Sequence, residues 1–346
     1  MGLRAYIIRR LILLVPTLMG ATLLIFAVTQ LFDPVARASL YITNVQQFTP
    51  DNIQSVIQQY GLNDPAYMQF FRWIGQILNG NFGFSRVARQ PVLQALMLRF
   101  PATLEVVMFS APIIIFLGIW LGVKSAVHRD KAVDHITRTV SIIGWSLPSF
   151  WLGIVLISIF YVGFHWFPPG RLGNAAHQFI MTNPSFIRYT GVNTIDGLLN
   201  GQLWITIDQL QHLVLPVTVL VTIQIALIIR IMRSSMLEAL GKGYITAAKA
   251  KGMSDKEVIN KHARKNALIP TITLSGLLVA GMLNGVVITE TVFGLSGVGQ
   301  WAANAALNMD IAAVLGFTLF SGFLFVMANL IVDILYAYID PRIRLD

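Results

Sequence analysis

The 346-residue chain contains no cysteine, which excludes a disulfide framework and thiol chemistry and leaves the redox compartment unreadable. Charged residues make up only 12% of it, about half the share of a soluble domain. A phosphate-binding loop is also missing. Gly241-Lys242-Gly243-Tyr244 lacks both the glycine spacing and the hydroxyl that must follow the lysine, so any energy for work comes from another chain. The six histidines are scattered, and no pair has metal-type spacing on a helix face. His128 and His135 read as solvated or headgroup-facing, so no metal site is assigned. No nucleophile has a base partner, and no catalytic residue is nominated.

Apolar residues fill this space, at 55% of the chain, and mean hydropathy is strongly positive. The pattern predicts an all-α, polytopic membrane protein. Arg4, Arg9 and Arg10 precede a first span over 11–32, long enough to cross a bilayer at helical rise. Ala36-Arg37-Ala38 imitates a signal-peptide cleavage site, but the apolar run is too long for a typical signal core. Five further spans are expected at 101–123, 136–164, 212–233, 269–291 and 311–338. The chain thus divides into a terminus with span one (1–32), an extracytoplasmic helical insertion (33–100) and a core with spans two to six (101–346).

Two amphipathic helices are expected in the insertion. One starts at Thr49-Pro50 with Ile53, Val56, Ile57 and Tyr60 on its face. The other starts at Asp64-Pro65 with Tyr67, Phe70, Phe71, Ile74 and Leu78. The segment 168–211, rich in Gly, Asn and Pro, reads as an irregular external loop. Glu105, near the outer end of span two, is expected at the interface. With both termini inside, 18 of the 25 Lys and Arg fall on cytoplasmic segments, and the other seven are spread over two long outer ones. This bias supports cytoplasmic termini and explains the net charge of +9 by the membrane, without nucleic acid.

Between spans four and five lies a polar, basic island, residues 234–268. Leu237, Leu240, Tyr244 and Ala248 recur at helical spacing, and Lys242, Lys249 and Lys256 repeat every seven residues, which predicts an amphipathic helix with a basic stripe. Gly252 supplies a left-handed stop, and Ser254 with Glu257 forms a capping box that starts a second helix. Any cytoplasmic loop tends to be basic, and a basic helix-turn-helix also raises DNA binding. Apolar spans begin within a few residues of both ends, so the tether argues against DNA.

The run Tyr244 to Gly252, followed by Met253-Ser254 and by His262-Ala263-Arg264-Lys265-Asn266-Ala267-Leu268, resembles the coupling loop of ABC importer permeases of the oligopeptide/dipeptide class. Thr246, where many importers have Glu, and Lys265-Asn266 resemble the dipeptide branch. Similar wording recurs at Gly61-Leu62-Asn63-Asp64-Pro65, at Ser146-Leu147-Pro148-Ser149-Phe150-Trp151, and at Glu290-Thr291-Val292-Phe293-Gly294-Leu295-Ser296-Gly297-Val298-Gly299. In the last block Leu295-Ser296 departs from the usual pair. Gly294, Gly297 and Gly299 resemble the family's outer turn; no strand precedes them, so they are no nucleotide fingerprint.

The resemblance implies the longer-looped permease of a heterodimer in a prokaryotic cell membrane. A second permease, two ATP-binding subunits holding ATP and Mg, and an extracytoplasmic solute-binding protein would be its partners, with membrane lipid around it. Tyr244, Ala247, Ala248, Lys249, Gly252, Ser254 and Glu257 would couple to the ATPases. The chain would bind no cofactor and carry out no catalysis itself. Peptides are the implied cargo, and the same branch also serves oligosaccharides and nickel complexes. Gln224, Asn284 and Glu290 interrupt apolar helices and are candidates for the path, whereas Asn329 and Asp333 read as bonding neighbouring helices. Asn284 fits the path and the packing seam equally. An ion-gradient transporter is the competing reading, but it requires inverted repeats and midplane titratable groups that the sequence does not display. A membrane anchor would have no use for a capped helix pair.

Overall fold

A computed structural model describes residues 3–42, 44, 46 and 49–339, and it is all-α apart from one two-residue strand pair. Helix α1 (Leu3–Thr29) leads to a short α2 (Pro34–Ala38), capped by Asp33, whose Oδ1 accepts from Ala36 N at 2.6 Å. Helix α3 (Pro50–Gln59) starts as expected, with Thr49 as its cap and Pro50 at the first position, where no backbone donor is needed. Helix α4 (Ala66–Leu78) follows Pro65, but Asp64 does not cap it; its carboxylate pairs with Arg72 at 2.6 Å. Phe70 and Trp73 form the packed face of α4 and lie 5.2 and 5.6 Å from Phe26 of α1, whereas Tyr67, Phe71 and Leu78 stay exposed. Tyr41 stacks on Tyr60, and burial, partly opposed by Arg37 and Arg72, pushes its phenol up to about 12. Strands β1 (Phe84–Ser85) and β2 (Gln90–Pro91) pair antiparallel before the core begins.

Helix α5 (Val92–Val127) begins well ahead of the expected Pro101 and carries Pro101 and Pro112 inside it. Helices α6 (Ala132–Ser146) and α7 (Ser149–Leu156), the latter prolonged by a π-type turn Ile157–Gly163, are bent by 97° rather than forming one straight span. Leu147 precedes a proline and is held at ψ 130°, outside the helical region, and Pro148 brings no donor.

The segment expected to be irregular holds α8 (Asn174–Thr182), α9 (Asn193–Leu199) and the start of α10 (Leu203–Leu240). Carboxylates organise it. Asp196 accepts from Thr190 N and Oγ1, both at 2.8 Å, and from Gly191 N at 2.9 Å. Glu105 faces protein and is 1% exposed. It accepts from Thr194 N at 2.8 Å and from Arg171 Nη2 at 3.4 Å, so the external segment is pinned to α5. Beside these polar contacts, Ala176 and Ile180 of α8 bury a small apolar cluster with Ile205, Phe179 and Phe186.

After α10 come α11 (Gly243–Ala250), α12 (Asp255–Glu257), a π-type turn Val258–Ala263 and α13 (Arg264–Leu283); from Asp255 to Leu283 the chain is one rod. The span five expected from the sequence extends to Thr291. The helix itself stops at Leu283 because Gly285 takes φ +105°, and α14 (Val287–Phe293), α15 (Val298–Leu307) and α16 (Ile311–Ile339) complete the fold. Asn329 is half-buried in α16; the side chain of Asp333 and the run Asp340–Arg344 lie outside the described residues.

Among the described residues, four rods are long and apolar enough to cross a membrane: α5, α10, Asp255–Leu283 and Ile311–Ile331 of α16. Counted as one broken span, the bent pair α6–α7 raises the number to five, and α1 is apolar over Val15–Thr29. The centre of the bundle is the crossing of α5 and α10. A Cβ at Gly118 or Gly122, one helical turn apart, would lie 2.6 Å from Ile228 Cγ2 or 2.7 Å from Met232 Cβ. Only glycine lets the two backbones approach this closely. Around the crossing, Val106, Ile114, Leu213, Val219, Met282 and Phe293 bury one cluster. Another joins α1 and the insertion to α15 and α16.

Candidate functional site

The basic island is not one helix followed by another. Helix α10 runs through Ser234 to Leu240 and ends at Gly241, and α11 starts afresh after Lys242, whose ψ of 147° is extended. Tyr244 and Ala248 therefore do not share a face with Leu237 and Leu240. Ala248 and Ile245 are buried at 7% and 4% against Met232, Met236 and Ala239 of α10 and Val258, Ala263 and Ala267 of the next rod. Tyr244 and Ala247 point outward, and the Tyr244 hydroxyl accepts from Asn266 Nδ2 at 3.2 Å. The three lysines of the expected stripe sit on separate pieces: Lys242 precedes α11, Lys249 lies in it and Lys256 belongs to α12.

The turn after α11 follows its sequence signals. Gly252 takes φ +82°; its N–H donates to Lys249 O at 2.9 Å, and Met253 N donates to Ala248 O at 3.3 Å, the paired bonds of a Schellman stop. Ser254 Oγ accepts from Glu257 N at 3.3 Å. The Glu257 carboxylate reaches the Ser254 hydroxyl, also at 3.3 Å, rather than its backbone N–H, so the expected capping box is closed on one side only. Lys249 spans the turn to Asp255 at 2.9 Å. A short helix with an exposed small-residue face is thus clamped between the ends of two long rods.

Those rods lead from α11 to a cavity of about 590 Å³, lined by Leu220, Gln224 and Leu227 of α10, Leu274, Leu278 and Gly281 of α13, and the chain from Gly285 to Thr289. Gln224 is therefore on the cavity wall. Asn284 ends α13 beside the wall, with its Oδ1 buried and without a partner among the described residues.

Glu290 is elsewhere. It is fully buried and holds the glycine turn together: Oε1 accepts from Thr103 Oγ1 at 2.6 Å, Oε2 accepts from Gln300 N at 2.7 Å, and Thr103 Oγ1 accepts from Val298 N at 3.0 Å. The carboxylate caps α15 from a distance, and it lines no part of the cavity. Gly294 takes φ +66° to end α14. Gly297 lies against the Glu290 carboxylate, and a Cβ on Gly285 would come within 2.5 Å of Gly299 Cα, so the two chain crossings require glycine.

A further cluster carries no motif in the sequence. Asp134, fully buried near the start of α6, accepts from Arg233 Nε and Nη2, both at 2.7 Å, from Asp130 N at 3.1 Å and from Ser125 Oγ. It ties α5, α6 and α10 together at the end of the bundle that carries α11. An acid at the edge of an apolar run, which needs a partner, was the signal available. Among the described residues no group of acids and histidines forms a metal site.

Residues 114–345 match the family model "Binding-protein-dependent transport system inner membrane component", and residues 3–107 match the model of its N-terminal part. The chain is 38% identical over 343 residues to the di/tripeptide transport system permease protein DppB of Pseudomonas aeruginosa (strain UCBPP-PA14), covering 98% of each. It is 36% identical over 341 residues to the dipeptide transport system permease protein DppB of Escherichia coli (strain K12), again covering 98% of each. With the oligopeptide transport system permease protein AppB of Bacillus subtilis (strain 168) it shares 34% over 341 residues, 98% of this chain and 99% of that one. The chain belongs to the inner membrane components of binding-protein-dependent transport systems, and it is a permease subunit of an ABC importer rather than an enzyme.

Proposed function

We propose that the chain moves di- and oligopeptides across a prokaryotic cell membrane as one of two homologous permease subunits. An extracytoplasmic solute-binding protein delivers the peptide, and two ATP-binding subunits, which hold ATP and Mg, power the step. The cargo reading rests on the names of the relatives. Six spans with both termini cytoplasmic rest on the distribution of Lys and Arg.

The observation that carries the mechanism is mechanical continuity. Helix α11 has no slack on either side: α10 runs unbroken from the cavity wall to Leu240, and Asp255–Leu283 returns unbroken to the same wall. Differential binding of α11 by an ATPase subunit in its ATP-bound and ATP-free states shifts both rods together, which is what alternating access requires. Tyr244, Ala247, Lys249 and Gly252 form the coupling surface, with Ala248 as its anchor. Ser254 and Glu257 set the angle of the return rod.

Co-purification of the tagged chain from its native membrane, followed by reconstitution, tests this reading. The expected result is a complex with a second permease and ATP-binding subunits that imports labelled dipeptides only with ATP and binding protein. Import of an oligosaccharide or nickel complex without peptide import overturns the cargo. Transport by the chain alone on an ion gradient overturns the ABC mechanism.

A further inference from the structure

A second cavity, about 460 Å³, opens between α6 and α10 near the α11 end of the bundle. It is lined by Arg138, Ser141 and Ile142 of α6 and by Ala226, Ile229, Arg230, Arg233 and Ser234 of α10. On α10 these positions face α6, whereas Leu220, Gln224 and Leu227 of the first cavity face α13, so the two sites occupy different sides of one helix. Arg233 spends Nε and Nη2 on buried Asp134, which fixes its guanidinium in the wall and leaves Nη1 without a bond among the described residues. Arg138 and Arg230 have neither hydrogen bond nor ion pair among the described residues. With Asp134 set against Arg233, two guanidinium charges remain uncompensated at one groove.

The surroundings say what kind of anion fits. Ile142, Ala226 and Ile229 form an apolar wall beside the arginines, and Ile136, Val140 and Ile143 continue α6 as exposed apolar surface. A soluble carboxylate or phosphate has no use for that wall. We propose that the groove binds an anionic phospholipid: its phosphodiester sits between Arg138, Arg230 and the free edge of Arg233, and an acyl chain lies along Ile142 and Ile229. Guanidinium forks suit phosphate oxygens, and basic pockets between membrane helices select anionic headgroups. Because α10 is one of the rods bearing on α11, an occupied groove stiffens α6 against α10 where coupling forces pass. The proposal rests on the membrane placement of the helices and not on the cargo.

The test uses the complete transporter with its partner subunits, delipidated in detergent and incubated with phosphatidylglycerol or phosphatidylcholine. Copies retained are counted by native mass spectrometry. Each basic side chain at a headgroup contributes roughly a factor of five, so Arg138→Gln with Arg230→Gln should lower phosphatidylglycerol retention roughly 25-fold and leave phosphatidylcholine unchanged. Each single variant should lose roughly fivefold, which keeps the test alive if the double variant fails to assemble. Unchanged phosphatidylglycerol retention in the single variants overturns the proposal. So does displacement of the lipid by millimolar inorganic phosphate, which would identify a free-oxyanion site. Reduced peptide import with intact lipid retention would assign the arginines to the cargo instead, and also overturns it.

Discussion

At the scale of single residues, the polar positions divide by whether they have a partner. Asp134 and Arg233 satisfy each other in the bundle, and removing one leaves the other stranded. Asp134→Ala is expected to destabilise the protein by about 3 kcal/mol, the low end for a buried pair because Arg233 keeps some exposure. A fall in the unfolding temperature of the purified complex, larger than for Arg72→Ala at the exposed Asp64 pair, is the readout. Glu290 acts through geometry. Glu290→Ala frees Gln300 N and the Thr103 hydroxyl, costs about 1–2 kcal/mol of capping, and loosens α15. Faster hydrogen exchange over Val298–Leu307, with binding of ATP-binding subunits unchanged, is the expected signature. Exchange no faster than in the wild type would deny Glu290 that role.

At the scale of elements, what the sequence made legible were the local devices. Thr49-Pro50, Gly252 and Ser254 carry their signals within three residues of where they act, and the structure has a start, a stop and a start there. Partners distant in the chain were invisible: Thr103 meets Glu290 across 187 positions, and Asp134 meets Arg233 across 99. The same limit explains Glu105, whose partners Arg171 and Thr194 lie 66 and 89 positions away. Hydrophobic periodicity also runs smoothly through Leu147-Pro148 and Gly241-Lys242 and so does not mark the two helix breaks there. Glycine pairs at crossings, Gly118 with Gly122 and Gly285 with Gly299, belong to packing rather than period. Gly285→Ala puts a methyl within 2.5 Å of Gly299 Cα, against backbone that cannot rotate away. It should abolish import while the complex still assembles. Wild-type import by that variant would show that the crossing tolerates spreading.

At the scale of the molecule, the proposed coupling treats the two rods, the clamped α11 and the cavity as one lever, which requires a rigid turn at Gly252. The substitutions there separate shape from stability. A Cβ on Gly252 meets nothing within 4 Å, so Gly252→Ala bears only the left-handed backbone penalty, about 1–2 kcal/mol, and should leave most import intact. Gly252→Pro cannot adopt φ +82° and loses the N–H that closes the stop on Lys249 O. The α11 underside, held by Ile245 and Ala248, keeps the rest of the fold in place. The most direct measurement is the number of peptides imported per ATP hydrolysed by the reconstituted complex carrying Gly252→Pro. The lever account predicts an assembled complex with near wild-type ATP hydrolysis and import per ATP reduced about tenfold or more, the size of an ordinary coupling energy. An unchanged ratio in that variant would contradict it.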